Sequence, residues 1–365
     1  MAIPLLDVVK MHEPIRDELV AAMTEVLDSG RFINGPYVET FERELAAYTG
    51  AARAMGVTSG SDALIVPLMA FDVQPGDEII TSAFTFFATA GAIVRCGATP
   101  IFADIDPVTF NIDPDAIEAK ITDKTVGIMP VHLFGQSADM TRINAIAEKN
   151  GLWVLEDAAQ SIGARHHGAM CGAMGTAGTY SFYPAKNLGA IGDGGAIVTN
   201  DEELADKLAV LREHGSKPKY YHSLVGGNFR LDALQAALLS VKLPHLKGWE
   251  AGRRAAAAAY AELLTGDERF VTPVEVDGNH HVFNQYELRV KDGKRDAAVA
   301  KLREAEIGHA IYYPVPLHLQ KCFAGLGGRE GDLPVTEQAC GEVVGLPILA
   351  DPDTCGEVVS VLKMV

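Results

Sequence analysis

The sequence predicts an α/β protein: a large domain on a seven-stranded, mostly parallel sheet, followed by a smaller α+β domain. Three observations carry that expectation. Seven short apolar runs of the buried-strand type lie between residues 54 and 199, most of them separated by stretches of helical periodicity, the texture of a parallel sheet covered on both faces. The chain has 365 residues, more than the roughly 250–300 that one core supports. Past residue 246 the alternation of buried strands and helices gives way to a half-buried strand pattern and separated helices. The expected division is therefore 1–245 and 246–365.

Taken in order, residues 14–29 read as an amphipathic helix with Ile15, Leu19, Ala22, Met23, Val26 and Leu27 on one side. Gly30, Gly35 and Pro36 break it before a second helix through Phe41 and Leu45. Apolar runs follow at 54–58, 78–81, 100–105, 126–131 and 152–156, with helical patterns at 61–72, 84–96, 113–121 and 139–150. Two more strand-like runs, 179–182 and 196–199, flank Lys186 and the glycine-rich turn Gly192-Asp193-Gly194-Gly195. A helical stretch from 231 to 264 is interrupted at Pro244. In the smaller domain Val282, Tyr286, Leu288 and Val290 alternate as in a strand buried on one face, and helices are expected at 294–306, 335–344 and 354–364.

Composition narrows the function classes. The net charge of −17, from 31 basic and 48 acidic side chains, argues against a nucleic-acid or anionic-membrane surface, which needs clustered Lys and Arg. Five cysteines without a CxxC pair read as reduced thiols of a cytoplasmic protein. The N-terminus lacks the apolar core of a signal peptide, and no stretch approaches the ~20 apolar residues of a membrane span. The pairs His166-His167 and His280-His281 are expected to diverge, so no metal site is expected.

In open α/β sheets ligands sit beyond the carboxyl ends of the strands. After the first strand, Ser59-Gly60-Ser61-Asp62 turns into a helix; it serves equally as an ordinary cap or as a phosphate site. Asp157 ends a central strand, where a charge needs a partner such as a protonated heterocycle or serves as a cap. Lys186 follows a strand and precedes a glycine-rich return; a desolvated lysine condenses with carbonyls. Together the three point to pyridoxal phosphate, which needs a lysine, an acid on its ring nitrogen and a phosphate cradle. Phe84, Phe86 and Phe87 are the candidates to cover its ring. The turn at 192–195 is not GxGxxG and leads into a strand, which excludes a dinucleotide fingerprint.

The motifs SGSDAL (59–64), PGDEII (75–80), FTFFAT (84–89), EDAAQSIGA (156–164), SFYPAKNLGAIGDGGA (181–196) and GGNFRLDALQAA (226–237) closely resemble, in order and spacing, the DegT/DnrJ/StrS-type nucleotide-sugar aminotransferases. That resemblance implies the aspartate-aminotransferase fold (PLP fold type I) and a homodimer with shared active sites. It implies that Lys186 carries the Schiff base and moves the proton, and that Asp157 pairs with the ring nitrogen. By the same resemblance Gln160 lies near the phenolic oxygen, Phe86 stacks on the ring, and Gly60, Ser61 and Ser181 hold the phosphate, with Asn228 reaching in from the other subunit. The glycines at 192, 194 and 195 let the chain return close to the cofactor.

The loop 212–222 and Arg230 gather Arg212, Lys217 and Lys219, which serve either as solvated cations or to meet a sugar-nucleotide diphosphate. Tyr183, Lys217, Arg230, Tyr312, Tyr313 and His318 are the candidate substrate contacts. Tyr312-Tyr313-Pro314 departs from the His-Tyr-Pro of many relatives. The expected reaction moves an amino group from L-glutamate to a nucleotide-linked keto-sugar, with C3 favoured by the DAAQ and PAKNLGA patterns. Amination at C4 or of a keto-cyclitol is the near alternative, and a non-catalytic sensor on the same fold is the distant one.

Overall fold

All seven apolar runs become strands of one sheet in the computed structural model, which describes residues 2–348 and 351–365. In chain order the strands are β1 (Arg53–Val57), β2 (Glu78–Ser82), β3 (Thr99–Ala103), β4 (Thr125–Met129), β5 (Trp153–Asp157), β6 (Arg165–His166) and β7 (Ala169–Met170). They continue with β8 (Ala177–Ser181), β9 (Gly195–Thr199), β10 (Phe270–Val271), β11 (Asn279–His280), β12 (Tyr286–Val290) and β13 (Val343–Leu346). The large sheet runs β1-β9-β8-β5-β4-β2-β3. Only β9 is antiparallel to its neighbours, pairing Ser181 with Gly195 on one side and Val57 with Gly195 on the other. The α/β class with a mostly parallel sheet is the observed one.

Parallel strands need helical crossovers, and their burial on both faces explains the unbroken apolar runs. Helix Gly60–Ala70 packs against the sheet through Ala63, Leu64, Val66 and Leu68, in one core with Val57, Ile79, Leu155 and Ile197. The other face is covered by helices Pro36–Thr49 and Ala233–Lys242, whose Phe41, Leu45, Ala236 and Leu239 join Phe182, Ala196 and Val198.

Differences from the sequence reading are local. The helix expected at 84–96 begins only at Ala88, because Ser82 Oγ accepts the Phe84 N–H at 2.9 Å and holds 84–87 in a turn. Helix Glu202–Arg212 was not anticipated; Asp201 caps it by accepting from the N–H groups of Glu203 and Leu204. The helix expected at 335–344 stops at Glu342, since Val343 and Val344 join β13 and pair with β12. Tertiary pairing of β-branched residues overrides the local helical pattern there.

A second core gathers Tyr260, Phe270, Tyr286, Leu288, Leu302, Val344, Val358 and Leu362. Helix Leu246–Leu263 spans both cores, with Leu246 in the first and Ala256, Ala257 and Tyr260 in the second. We propose that the chain divides at the start of this helix. Ile3, early in the chain, forms a bridge with Ile307 and packs on the second core, so the N-terminal strand end crosses over. No helix of the described residues is long and apolar enough to cross a membrane. The five cysteines are free.

Candidate active site

A cavity of about 710 Å³ opens at the carboxyl ends of β5 and β8 and is roofed by the second core. Its lining includes Ser59, Gly60, Ser61, Phe86, Asp157, Gln160, Ser181, Tyr183, Lys186, Tyr312 and Tyr313. Ten sequence-selected residues, from five separate stretches, therefore share one space with Ser59.

At one end lies the N-terminus of helix Gly60–Ala70. Ser59 caps it by accepting the Asp62 N–H at 3.1 Å, which leaves the first N–H groups turned toward the cavity. A Cβ at Gly60 would lie 2.6 Å from the Ser181 Cβ, and one at Gly195 would lie 2.4 Å from the Ser59 carbonyl oxygen. Glycine at both positions lets β1, β8 and β9 close this cradle. Its donors, two serine hydroxyls and a helix N-terminus, fit a phosphate.

Asp157 closes β5 and is 4% exposed. Its Oδ2 accepts from Thr89 Oγ at 2.8 Å, and its Oδ1 accepts from the Ala159 N–H at 3.2 Å. Burial pushes its pKa up despite these bonds and the nearby Lys186 and His132. A buried carboxylate in that condition is completed by a cation, and a protonated ring nitrogen is one. Lys186 is half-buried, with its tip at the cavity. Desolvation lowers its ammonium pKa to about 8 while the attraction of Asp157 opposes the shift. Near neutrality a far larger fraction is free amine than for an exposed lysine. The residues present thus fit pyridoxal phosphate at each of its three demands.

Gln160 is fixed at both ends: Oε1 accepts the Phe134 N–H at 2.7 Å, and Nε2 donates to Tyr313 Oη at 3.1 Å. The three phenylalanines separate. Phe86 faces the cavity, Phe84 is buried against Phe110 and Phe134, and Phe87 stacks on Phe323 at 5.5 Å. Burial raises the pKa of Tyr313 strongly and that of Tyr312 as well, so both stay neutral phenols.

Four candidates lie outside this chain's cavity. His318 is buried in a 3₁₀ turn with Nε2 at 3.0 Å from Glu337 Oε1, which ties it into the second domain's wall. Arg230 faces Glu213 at 3.6 Å, and Asn228 and Lys217 are exposed on the loop side. Arg212 is not part of a free cationic cluster: it pairs with Glu42 and donates to the Gly56 carbonyl at 3.0 Å. His166 and His167 do not diverge as expected; their rings lie edge to face at 4.5 Å, and His166 is hydrogen-bonded to Asn279 and Thr141. No cluster of metal ligands occurs among the described residues.

Several lining residues escaped sequence reasoning: Thr89's neighbour Thr85, and Arg253, Gln285 and Glu287 from the second domain. Thr89 itself is legible only by helical spacing from Thr85, to which its hydroxyl is hydrogen-bonded at 3.0 Å. The alternation at 282–290 placed Glu287 on the solvent face. It is instead 1% exposed, because that face of β12 is the cavity wall.

Residues 13–363 match the DegT/DnrJ/EryC1/StrS aminotransferase family. The chain belongs to this family. Among its relatives, the "Pleiotropic regulatory protein" of Geobacillus stearothermophilus is 55% identical, over 96% of this chain and 94% of the relative. The UDP-N-acetyl-3-dehydro-alpha-D-glucosamine 3-aminotransferase of Acidithiobacillus ferrooxidans is 44% identical, over 96% of this chain and 94% of the relative. The solved structure of DesV from S. venezuelae, in complex with a ketimine intermediate, superposes with a TM-score of 0.96 at 40% identity, covering 100% of this chain and 98% of that one. NtdA from Bacillus subtilis, solved with bound PMP, gives 0.89 at 34% identity, covering 99% and 85%. This member of the DegT/DnrJ/EryC1/StrS family is a pyridoxal-phosphate-dependent aminotransferase of the PLP type I fold.

When bound, the cofactor supplies an electron sink and a carbon that accepts and returns an amino group. The chain supplies the rest. The Lys186 amine, lowered to about pKa 8, can attack a carbonyl and can take or give a proton at the reacting carbon. Asp157 would hold a protonated ring nitrogen, and Thr89, donating to its Oδ2 at 2.8 Å, holds Asp157 in place.

Proposed function

We propose that this aminotransferase passes an amino group from L-glutamate to C3 of a nucleotide-linked keto-sugar, in the biosynthesis of an amino sugar. The observation that carries the reading is Lys186 opposite Asp157 in a cavity of about 710 Å³, large enough for a hexose beside a cofactor. The C3 assignment draws support from the 44% relative named for a UDP-linked 3-keto-sugar. The chain's anionic balance leaves the nucleotide's diphosphate to be met locally.

Lys217 and Arg230 are proposed to meet that need, and Asn228 to reach the cofactor phosphate, across a homodimer. Each lies outside its own cavity, beside exposed Tyr220, Tyr221 and Val225. Mixing Asn228→Ala with Lys186→Ala tests this: mixed dimers with shared sites regain one intact site, whereas independent sites gain none. Such an enzyme works in the cytoplasm, where nucleotide sugars and reduced thiols coexist.

The name of the 55% relative points to regulation. A sensor would not require a desolvated lysine facing a buried acid, and that pair favours turnover. The deciding experiment gives the pure protein L-glutamate and a panel of UDP-, dTDP- and GDP-linked 3-keto and 4-keto sugars. The expected result is a visible cofactor band that bleaches with glutamate and a 3-amino sugar as product. A protein that no added cofactor colours, or turnover that survives Lys186→Ala, would overturn the reading.

A further inference from the structure

Glu287 sits in the middle of β12, on the cavity wall opposite Lys186's domain, and is 1% exposed. Neither of its carboxyl oxygens has a hydrogen-bond partner, and it forms no ion pair among the described residues. Arg289, two residues along the same strand face, is already held by Glu342 at 2.7 Å. The space for the carboxyl is made by Gly345, paired with Glu287 across β13: a Cβ there would come within 2.5 Å of Oε1. An isolated buried carboxyl costs stability, and no partner among the described residues offsets this one.

We propose that Glu287 is a specificity-determining contact for a ring hydroxyl of the amino-group acceptor. Burial pushes its pKa well above the usual range, so it faces the cavity as a neutral acid. A neutral carboxyl presents one donor and one acceptor, the complement of a hydroxyl that both gives and receives. A carboxylate of the amino donor would find a better match in Arg253, whose Nε and Nη2 are likewise unpartnered at the same wall. Tyr312 and Tyr313 border Glu287 from the neighbouring segment, and their phenols can hold the same ring from its other side.

This assignment rests on a hydroxylated keto-sugar being the acceptor, and the test separates the two claims. Glu287→Gln and Glu287→Leu are compared with wild type in each half-reaction separately: cofactor-loaded enzyme with L-glutamate, and the amine form with UDP- and dTDP-linked 3-keto-hexoses. Calorimetry on the same sugars gives affinity without turnover. Glu287→Leu is expected to raise the acceptor KM and Kd by about tenfold, with the glutamate half-reaction unchanged within about twofold, while Glu287→Gln restores most of the loss. An acceptor KM unchanged in Glu287→Leu overturns the inference alone, as does an equal fall in both half-reactions. A wild-type protein that neither binds nor aminates any panel sugar overturns the proposed function, and the inference with it.

Discussion

On the wall of the cavity contributed by residues before 246, none of the lining side chains among the described residues carries a buried polar atom without a partner. Asp157 accepts from Thr89 and Ala159, and Gln160 is engaged by Phe134 and Tyr313. Across the cavity the second domain is built differently. Arg253, Asn284 and Glu287 all line the space and all present buried polar atoms with no partner among the described residues. A site for an invariant group gains from being preorganised, because its donors and acceptors need no rearrangement at the moment of reaction. A wall that meets exchangeable substrates is completed by them, and the unmet desolvation of its polar groups becomes binding energy and selectivity.

The contrast can be broken most sharply at Lys186. Lys186→Ala should lower single-turnover transamination of glutamate by roughly 10³-fold or more, since nucleophile and proton carrier go together. Asp157→Asn should follow with a loss of about 10²-fold in the same half-reaction, measured by stopped-flow absorbance. The pH dependence probes the preorganised wall without mutation. With its pKa at about 8, the free-amine fraction of Lys186 grows about tenfold from pH 7 to pH 9. Capture of added pyridoxal phosphate by the apoprotein should accelerate by about that factor, whereas a pKa near that of an exposed lysine would give about a hundredfold rise.

Thr89→Val removes a hydrogen bond to a buried carboxyl and should weaken cofactor retention by about tenfold, read by dialysis and absorbance. The smallest effect is expected on the unsatisfied wall, and with the opposite sign. Glu287→Leu should stabilise the fold by about 1 kcal/mol near neutrality. The sign follows from the raised pKa of Glu287: the folded state binds its proton more tightly than the unfolded chain. Wild-type stability therefore falls as pH rises above the ordinary glutamate range, and the Tm gap to the variant should widen from pH 5 to pH 8. A variant less stable than wild type would show that Glu287 has a structural partner.

The amino-acid sequence by itself determined the strands, the mostly parallel sheet and the residues that gather at the candidate cofactor site. Buried parallel strands impose continuous apolar runs, and each of Ser61, Asp157, Ser181 and Lys186 falls at or just beyond a strand end, where local order locates it. Only the tertiary structure decided the opposite wall. Glu287 reads as a solvent-facing residue of an alternating strand, and its burial arises because a distant domain covers that face. The turn of Val343–Leu346 into a strand, the tying of His318 to Glu337 and the diversion of Arg212 to Glu42 have the same cause. Each depends on a partner far away in the chain, and periodicity within one segment carries no information about what will pack against it.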